Sequence, residues 1–308
     1  MPRFLSTLLV VALLGGTAAA FAVTQGLKTR PSPITAPRIQ KVFSPECDCP
    51  TRVAMIQFRL RKPDRVRLQI VDGGGNVVRT LVPGSRLRRK TVTYTWNGRD
   101  DRGRFVAQGV YKPRVHLADQ HRTIDLPNEM RVDTTAPAVT VRSVAPRQIS
   151  PDGDGRRDRA VIRYSLSERA HALLFVGPRR VVFTRNQLPT GTVEWNGKID
   201  GKPVRPGSYV LRLGAQDPAG NVSTPKRAGV VRVRYVELAR RTIPAKARTR
   251  FGVGVSADRR VAWRLAGRSG TAAPGLLVLR APKHPGRYPL VVSAGDHAAR
   301  STVIVSPR

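Results

Sequence analysis

Apolar residues recur at every second position through much of this chain, the spacing of strands that bury one face. In M-I-Q-F-R-L (55–60), Ile56, Phe58 and Leu60 share a side and polar residues alternate with them. V-I-R-Y-S-L (161–166) repeats the pattern with Ile162, Tyr164 and Leu166. R-V-R-L-Q-I-V-D-G-G-G-N-V-V-R-T-L (65–81) reads as strand, glycine-rich turn and strand. H-A-L-L-F-V-G-P-R-R-V-V-F-T (171–184) reads as its counterpart, turning at Gly177-Pro178. Further strands are expected at 260–265, 276–280 and 301–305. No long amphipathic helical period follows residue 30, and the 25 Pro and 27 Gly suit short strands joined by turns. The expected class is all-β.

The exception lies at the N-terminus. Phe4 to Val23 is an apolar run preceded by Arg3, long enough to span a bilayer and also readable as a signal peptide with small-residue cleavage options after Ala20 or Ala22. Residues 1–23 are therefore expected to be a signal peptide or a membrane anchor helix. Lys28, Arg30, Arg38 and Lys41 make the downstream flank the more basic one, opposite to the simple positive-inside pattern. Export is still the expected fate, because the modules that follow look exported. Residues 24–41, with Pro31, Pro33 and Pro37, read as a stiff spacer.

Beyond the spacer the chain repeats itself. Residues 43–60 align with 149–166 without a gap, setting Ser44-Pro45 on Ser150-Pro151. Residues 93–111 align with 193–209: Trp96, Asn97 and Gly98 fall on Trp195, Asn196 and Gly197, Asp101 on Asp200, Gly109 on Gly207, and Tyr111 on Tyr209. Asn-Gly is expected to supply the positive φ angles of a tight hairpin, with each Trp on the sheet behind it. A fainter echo at 285–296 again places an Asp eight residues after a Tyr, giving the series Asp119, Asp217 and Asp296. The expected domains are 42–134, 135–235 and a divergent β-sandwich at 236–308.

The run from Trp195 to Tyr209, followed by a strand ending in A-x-D-x-x-G-N (Ala215 to Asn221), resembles the FlgD-type immunoglobulin-like domain. The S-P-D-G-D-G opening similarly resembles the start of modules appended to exported bacterial proteins. The resemblance covers 43–235 as two tandem copies, with the fuller motif in the second. It implies tandem immunoglobulin-like β-sandwiches behind an N-terminal hydrophobic helix in an exported protein. The hook-capping region of true cap proteins has no counterpart here, so flagellar assembly is not implied.

Charge narrows the partners. Lys and Arg number 55 against 20 Asp and Glu, a formal net charge of +35. Such a surface attracts polyanions of any kind. The densest cluster is Arg86, Arg88, Arg89 and Lys90, with smaller ones at Arg156-Arg157, Arg179-Arg180 and Arg240-Arg241. This spread fits a broadly basic surface better than one shaped groove. Aromatic residues make up 6 % and do not interleave with the basic ones, so nucleic acid is expected to bind only non-specifically.

Three constellations could carry chemistry. In I-S-P-D-G-D-G-R-R-D (149–158), Asp152, Asp154 and Asp158 occupy the first, third and seventh positions of a calcium-loop pattern. Against calcium stand Arg156, Arg157 and Arg159, and Arg163 where an EF-hand would place Glu. A polar turn whose Asp side chains cap backbone amides is the favoured reading. Cys47 and Cys49, the only cysteines, lie in the sister loop and could form a disulfide, bridge to another chain or remain thiols. His116 and His121 lie near Asp119, Asp125 and Glu129, which admits a hydrolase, yet no G-x-S-x-G or H-E-x-x-H motif accompanies them.

The expectation is a non-enzymatic, exported or membrane-tethered envelope protein of immunoglobulin-like modules. Its partners would be anionic envelope polymer, a membrane surface or other envelope proteins. No small-molecule substrate and, calcium apart, no cofactor is indicated. The alternatives are a passive spacer rod and a hydrolase using the His116–Glu129 region.

Overall fold

The computed structural model describes residues 11–21 and 31–308. The chain divides into two compact units, Met1–Asp133 and Thr134–Arg308. A helix covers residues 11–21 with its side chains exposed. Among the described residues no helix is long and apolar enough to cross a membrane. The rest of the expected signal or anchor segment, and residues 24–30 of the spacer, lie outside the described residues.

In the first unit the alternation becomes burial. Ala54, Ile56, Phe58 and Leu60 of Ala54–Leu60 are buried while Met55 and Arg59 face out. This strand lies between Ile34–Ile39 and Thr91–Trp96 in a three-stranded antiparallel sheet, with Ile56 opposite Tyr94. A one-residue slip would turn all four apolar side chains to water, so the pattern fixes the register. A second sheet has the order Val42–Phe43, Met130–Val132, Gly109–Leu117, Asp64–Asp72 and Val77–Leu87, and Arg122–Asp125 also pairs with Gly109–Leu117. Its apolar side chains, among them Leu68, Ile70, Val115 and Leu117, meet those of the first sheet in one core.

Ile34–Ile39 departs from the expected spacer. It is an edge strand with a bulge between Thr35 and Arg38, where Ala36 has φ +49° and Pro37 lies. A bulge on an edge tolerates a residue without an N–H, so the proline that suggested a linker is compatible with pairing. The first sandwich thus starts at residue 34.

The second unit holds two separate cores. The first is enclosed by Val139–Ala145, Ala160–Leu166 and Thr190–Trp195 on one side. Facing them is a five-stranded sheet in the order Gln148–Ile149, Lys226–Val233, Gly207–Gln216, His171–Val176 and Arg179–Phe183. The second core lies between Glu237–Leu238, Arg250–Ser256 and Gly275–Arg280 and a sheet ordered Thr242–Lys246, His297–Ser306, Gly286–Ala294, Val261–Leu265 and Arg268–Ala272. In their two facing sheets the two sandwiches share one topology, including the parallel pairing of the short or edge strand with the last strand. The divergent C-terminal segment is therefore built on the same plan as the repeat before it.

Candidate functional site

The Ser-Pro opening and the Trp-Asn-Gly turn recur together because they touch. Gly197 has φ +69°, and a Cβ on it would lie 2.5 Å from Cγ of Pro151. Gly98 has φ +68°, and its Cβ would lie 2.7 Å from Cβ of Pro45. Each glycine admits the proline ring against the turn backbone. The indole N–H of Trp96 donates to the Arg99 carbonyl at 3.0 Å, and that of Trp195 to the Lys198 carbonyl at 2.9 Å. Tyr111 and Tyr209 pack edge-on against these rings at 5.2 and 5.4 Å, and their hydroxyls donate to Ala107 and Arg205. Tyr288 makes the same bond to His284 in the third sandwich.

The Asn-Gly pairs do not form the expected two-residue hairpin turn. Only their glycines have positive φ, while Asn97 caps the backbone N–H of Arg99. In the second copy the hairpin joins Lys198–Ile199 to Lys202–Pro203 and turns at Asp200-Gly201, with φ +51° and +76°. These angles are those of a type I′ turn, for which Asp-Gly is suited. Asp101, aligned with Asp200 in sequence, instead accepts a bond from the Thr80 N–H at 3.0 Å.

The turn holds the opening loop, and the loop presents its acids. Asp158 takes the role of the capping carboxylate: its two oxygens accept the N–H groups of Gly153 and Gly155 at 2.9 and 2.8 Å. It does not group with Asp152 and Asp154, as the calcium-loop spacing required. The partner that does is Asp258, from the loop after Arg250–Ser256 in the third sandwich. Carboxylate oxygens of Asp152, Asp154 and Asp258 all lie within 4.8 Å of one another. The Asp152 side chain is 2 % exposed, and Arg259 approaches its Oδ2 at 4.0 Å without a hydrogen bond. Both carboxylate oxygens of Asp258 and the Ser150 hydroxyl are likewise buried without a well-formed hydrogen bond, although the Ser150 hydroxyl lies near enough to draw the Asp258 carboxyl down somewhat. Burial first, and then the neighbouring carboxylates, pushes Asp152 and Asp258 above the ordinary carboxylate range. Nothing in the local sequence around Asp258, S-A-D-R-R, signals this role; only the fold brings it to the loop.

The other sequence candidates separate. Cys47 and Cys49 are joined in a disulfide with one residue between them. His116 meets the Thr123 hydroxyl at 3.0 Å, and His121 lies in the adjoining turn with φ +50°. The nearby carboxylates each face a different cation: Asp119 meets Arg86 at 2.9 Å, Asp125 meets Arg114 at 2.6 Å, and Glu129 meets Lys112 at 3.0 Å. These groups do not converge on either imidazole. At the basic cluster, Arg88, Arg89 and Lys90 are exposed and, among the described residues, have no carboxylate within 4.0 Å.

Residues 53–120 match the FlgD Ig-like domain, which identifies the first sandwich as a module of that family. The match falls on the first copy, although the second carries the fuller motif. No curated protein matches the chain. Among solved structures, fibronectin(III)-like modules of Clostridium thermocellum CbhA are 16 % identical, covering 65 % of this chain and 91 % of theirs, with a TM-score of 0.33. FlgD from P. aeruginosa is 17 % identical over 45 % of this chain and 89 % of its own, with a TM-score of 0.25. A fragment of titin with three immunoglobulin domains is 10 % identical over 91 % of this chain and 100 % of its own, with a TM-score of 0.31.

Proposed function

We propose that this is a non-enzymatic, extracytoplasmic envelope protein that acts by binding. Its partners are anionic envelope polymer or acidic faces of other envelope proteins, and the N-terminal segment directs its export or tethers it. The observation that carries this reading is the surplus of unpaired basic side chains: 20 acidic groups cannot neutralise 55 basic ones under any pairing. The immunoglobulin-like modules supply folded scaffolds for that surface, and the sites with hydrogen-bonding potential serve the fold rather than a reaction.

The test is co-sedimentation of the full-length protein with purified anionic wall polymer. Binding is expected at low salt, weakening as salt rises and when Arg88, Arg89 and Lys90 are changed together to Gln. Equal binding to a neutral polymer, or binding indifferent to salt, would overturn the electrostatic reading. Absence of binding at every salt concentration would leave a passive spacer.

A further inference from the structure

We propose that Asp152, Asp154 and Asp258 form a calcium site that fastens the opening loop of the second sandwich to the third. An acidic cluster alone is not a site, since exposed carboxylates are common. Here the Asp152 side chain is 2 % exposed with Oδ2 free of hydrogen bonds, and both oxygens of Asp258 are buried without a well-formed hydrogen bond. Withdrawing ionised carboxylates from water without partners is costly, and protonation or a cation removes that cost.

The donor set selects the ion. All ligands are oxygens, which excludes the nitrogen and sulfur preference of zinc. Oxygens bound to one calcium at 2.3–2.6 Å lie at most about 5.2 Å apart, a limit that the 4.8 Å grouping meets. Calcium takes six to eight oxygens in flexible geometry, which suits carboxylates drawn from two domains better than the strict octahedron of magnesium. A cavity of about 60 Å³ lined by Ser150, Tyr235 and Asp258 adjoins the cluster and has room for water ligands. Asp158 contributes indirectly: it fixes the amides of Gly153 and Gly155 and so holds the loop in shape.

Three negative charges opposed by Arg259 place the affinity in the weak, extracellular class, with Kd of about 10⁻⁴–10⁻³ M. The ion would reinforce a junction where Tyr235 already stacks on His297 at 3.4 Å. This inference does not rest on what the basic surface binds.

Calorimetric titration of the full-length protein with calcium chloride tests it. One ion per chain is expected, with affinity falling at least about tenfold in Asp258→Asn and in Asp154→Asn. Calcium should also raise the melting temperature of the unmodified protein and leave that of Asp258→Asn unchanged. Circular dichroism establishes that each variant is folded, and if one is not, the other variant and the unmodified protein decide. No heat at millimolar calcium would overturn the site. Binding unaltered by Asp258→Asn would overturn its link to the third sandwich, and equal affinity for magnesium would overturn the choice of ion.

Discussion

Gly197 shows how a motif residue can be required for two reasons at once. Its φ of +69° disfavours any side chain, and the Pro151 ring fills the space a Cβ would take. Gly201 has φ +76° with open space around it, so it separates the two effects. Gly201→Ala is expected to cost about 1–2 kcal/mol, the price of a left-handed L-residue. Gly197→Ala should cost a further 1–3 kcal/mol or so, because Pro151 must move out of a packed turn. Urea denaturation of both variants measures the difference, and equal losses would show that the proline contact carries no energy. The same logic explains why Ser-Pro and Trp-Asn-Gly travel together in both copies while separated by some fifty residues of less regular sequence.

Among elements, the hairpin formed by Gly109–Leu117 and Arg122–Asp125 is fastened by a two-bond pair from Arg114 to Asp125, at 2.6 and 3.0 Å. The hydrogen bonds and charge of Arg114 hold the Asp125 carboxyl below the ordinary carboxylate range. A carboxyl whose folded pKa is depressed stabilises the fold above its unfolded pKa and loses that contribution as pH falls through the folded value. The acid limb of a melting-temperature profile, below about pH 4, should therefore become shallower in Asp125→Asn. At neutral pH the variant should lose less than about 1 kcal/mol, since both partners retain contact with water. An unchanged acid limb would show that the pair is not maintained in solution.

Elements were also where the sequence was most legible. Alternation located Ala54–Leu60 and Ala160–Leu166, and the apolar runs placed three of the third sandwich's strands, Val261–Leu265, Gly275–Arg280 and His297–Ser306, because each has one face on a core and one turned toward water. Ile34–Ile39 was hidden because Pro37, following Pro31 and Pro33, looks like part of a linker, and only pairing with Ala54–Leu60 shows that a bulge accommodates it. The type I′ turn was misplaced for a related reason: Asn-Gly and Asp-Gly both suit it, and indole bonding commits the first pair to a different bend. The acid cluster was half legible. Asp152 and Asp154 are close in sequence, but their third partner comes from another sandwich about a hundred residues away, a distance that no local pattern spans.

For the whole molecule, the deciding quantity is a formal charge of +35. Basic residues that are spread over the chain rather than gathered around stacking aromatics attract any polyanion through its charge density, and attraction of that kind is set by counterion release. Duplex DNA is then a useful probe although it is not the proposed partner, because its charge spacing is known and its sequence can be varied. Duplexes of unrelated sequence should bind the full-length protein with equal affinity. With six to ten phosphates contacted, that affinity should fall by about 10³–10⁵ between 50 and 200 mM salt. Replacing Arg88, Arg89 and Lys90 with Gln should reduce the slope by no more than about three contacts' worth, since most of the basic surface lies elsewhere. Fluorescence anisotropy across a salt series reads all three quantities. A marked preference for one sequence, or a slope abolished by the triple change, would mean that the protein carries a localised nucleic-acid site rather than a diffuse basic surface.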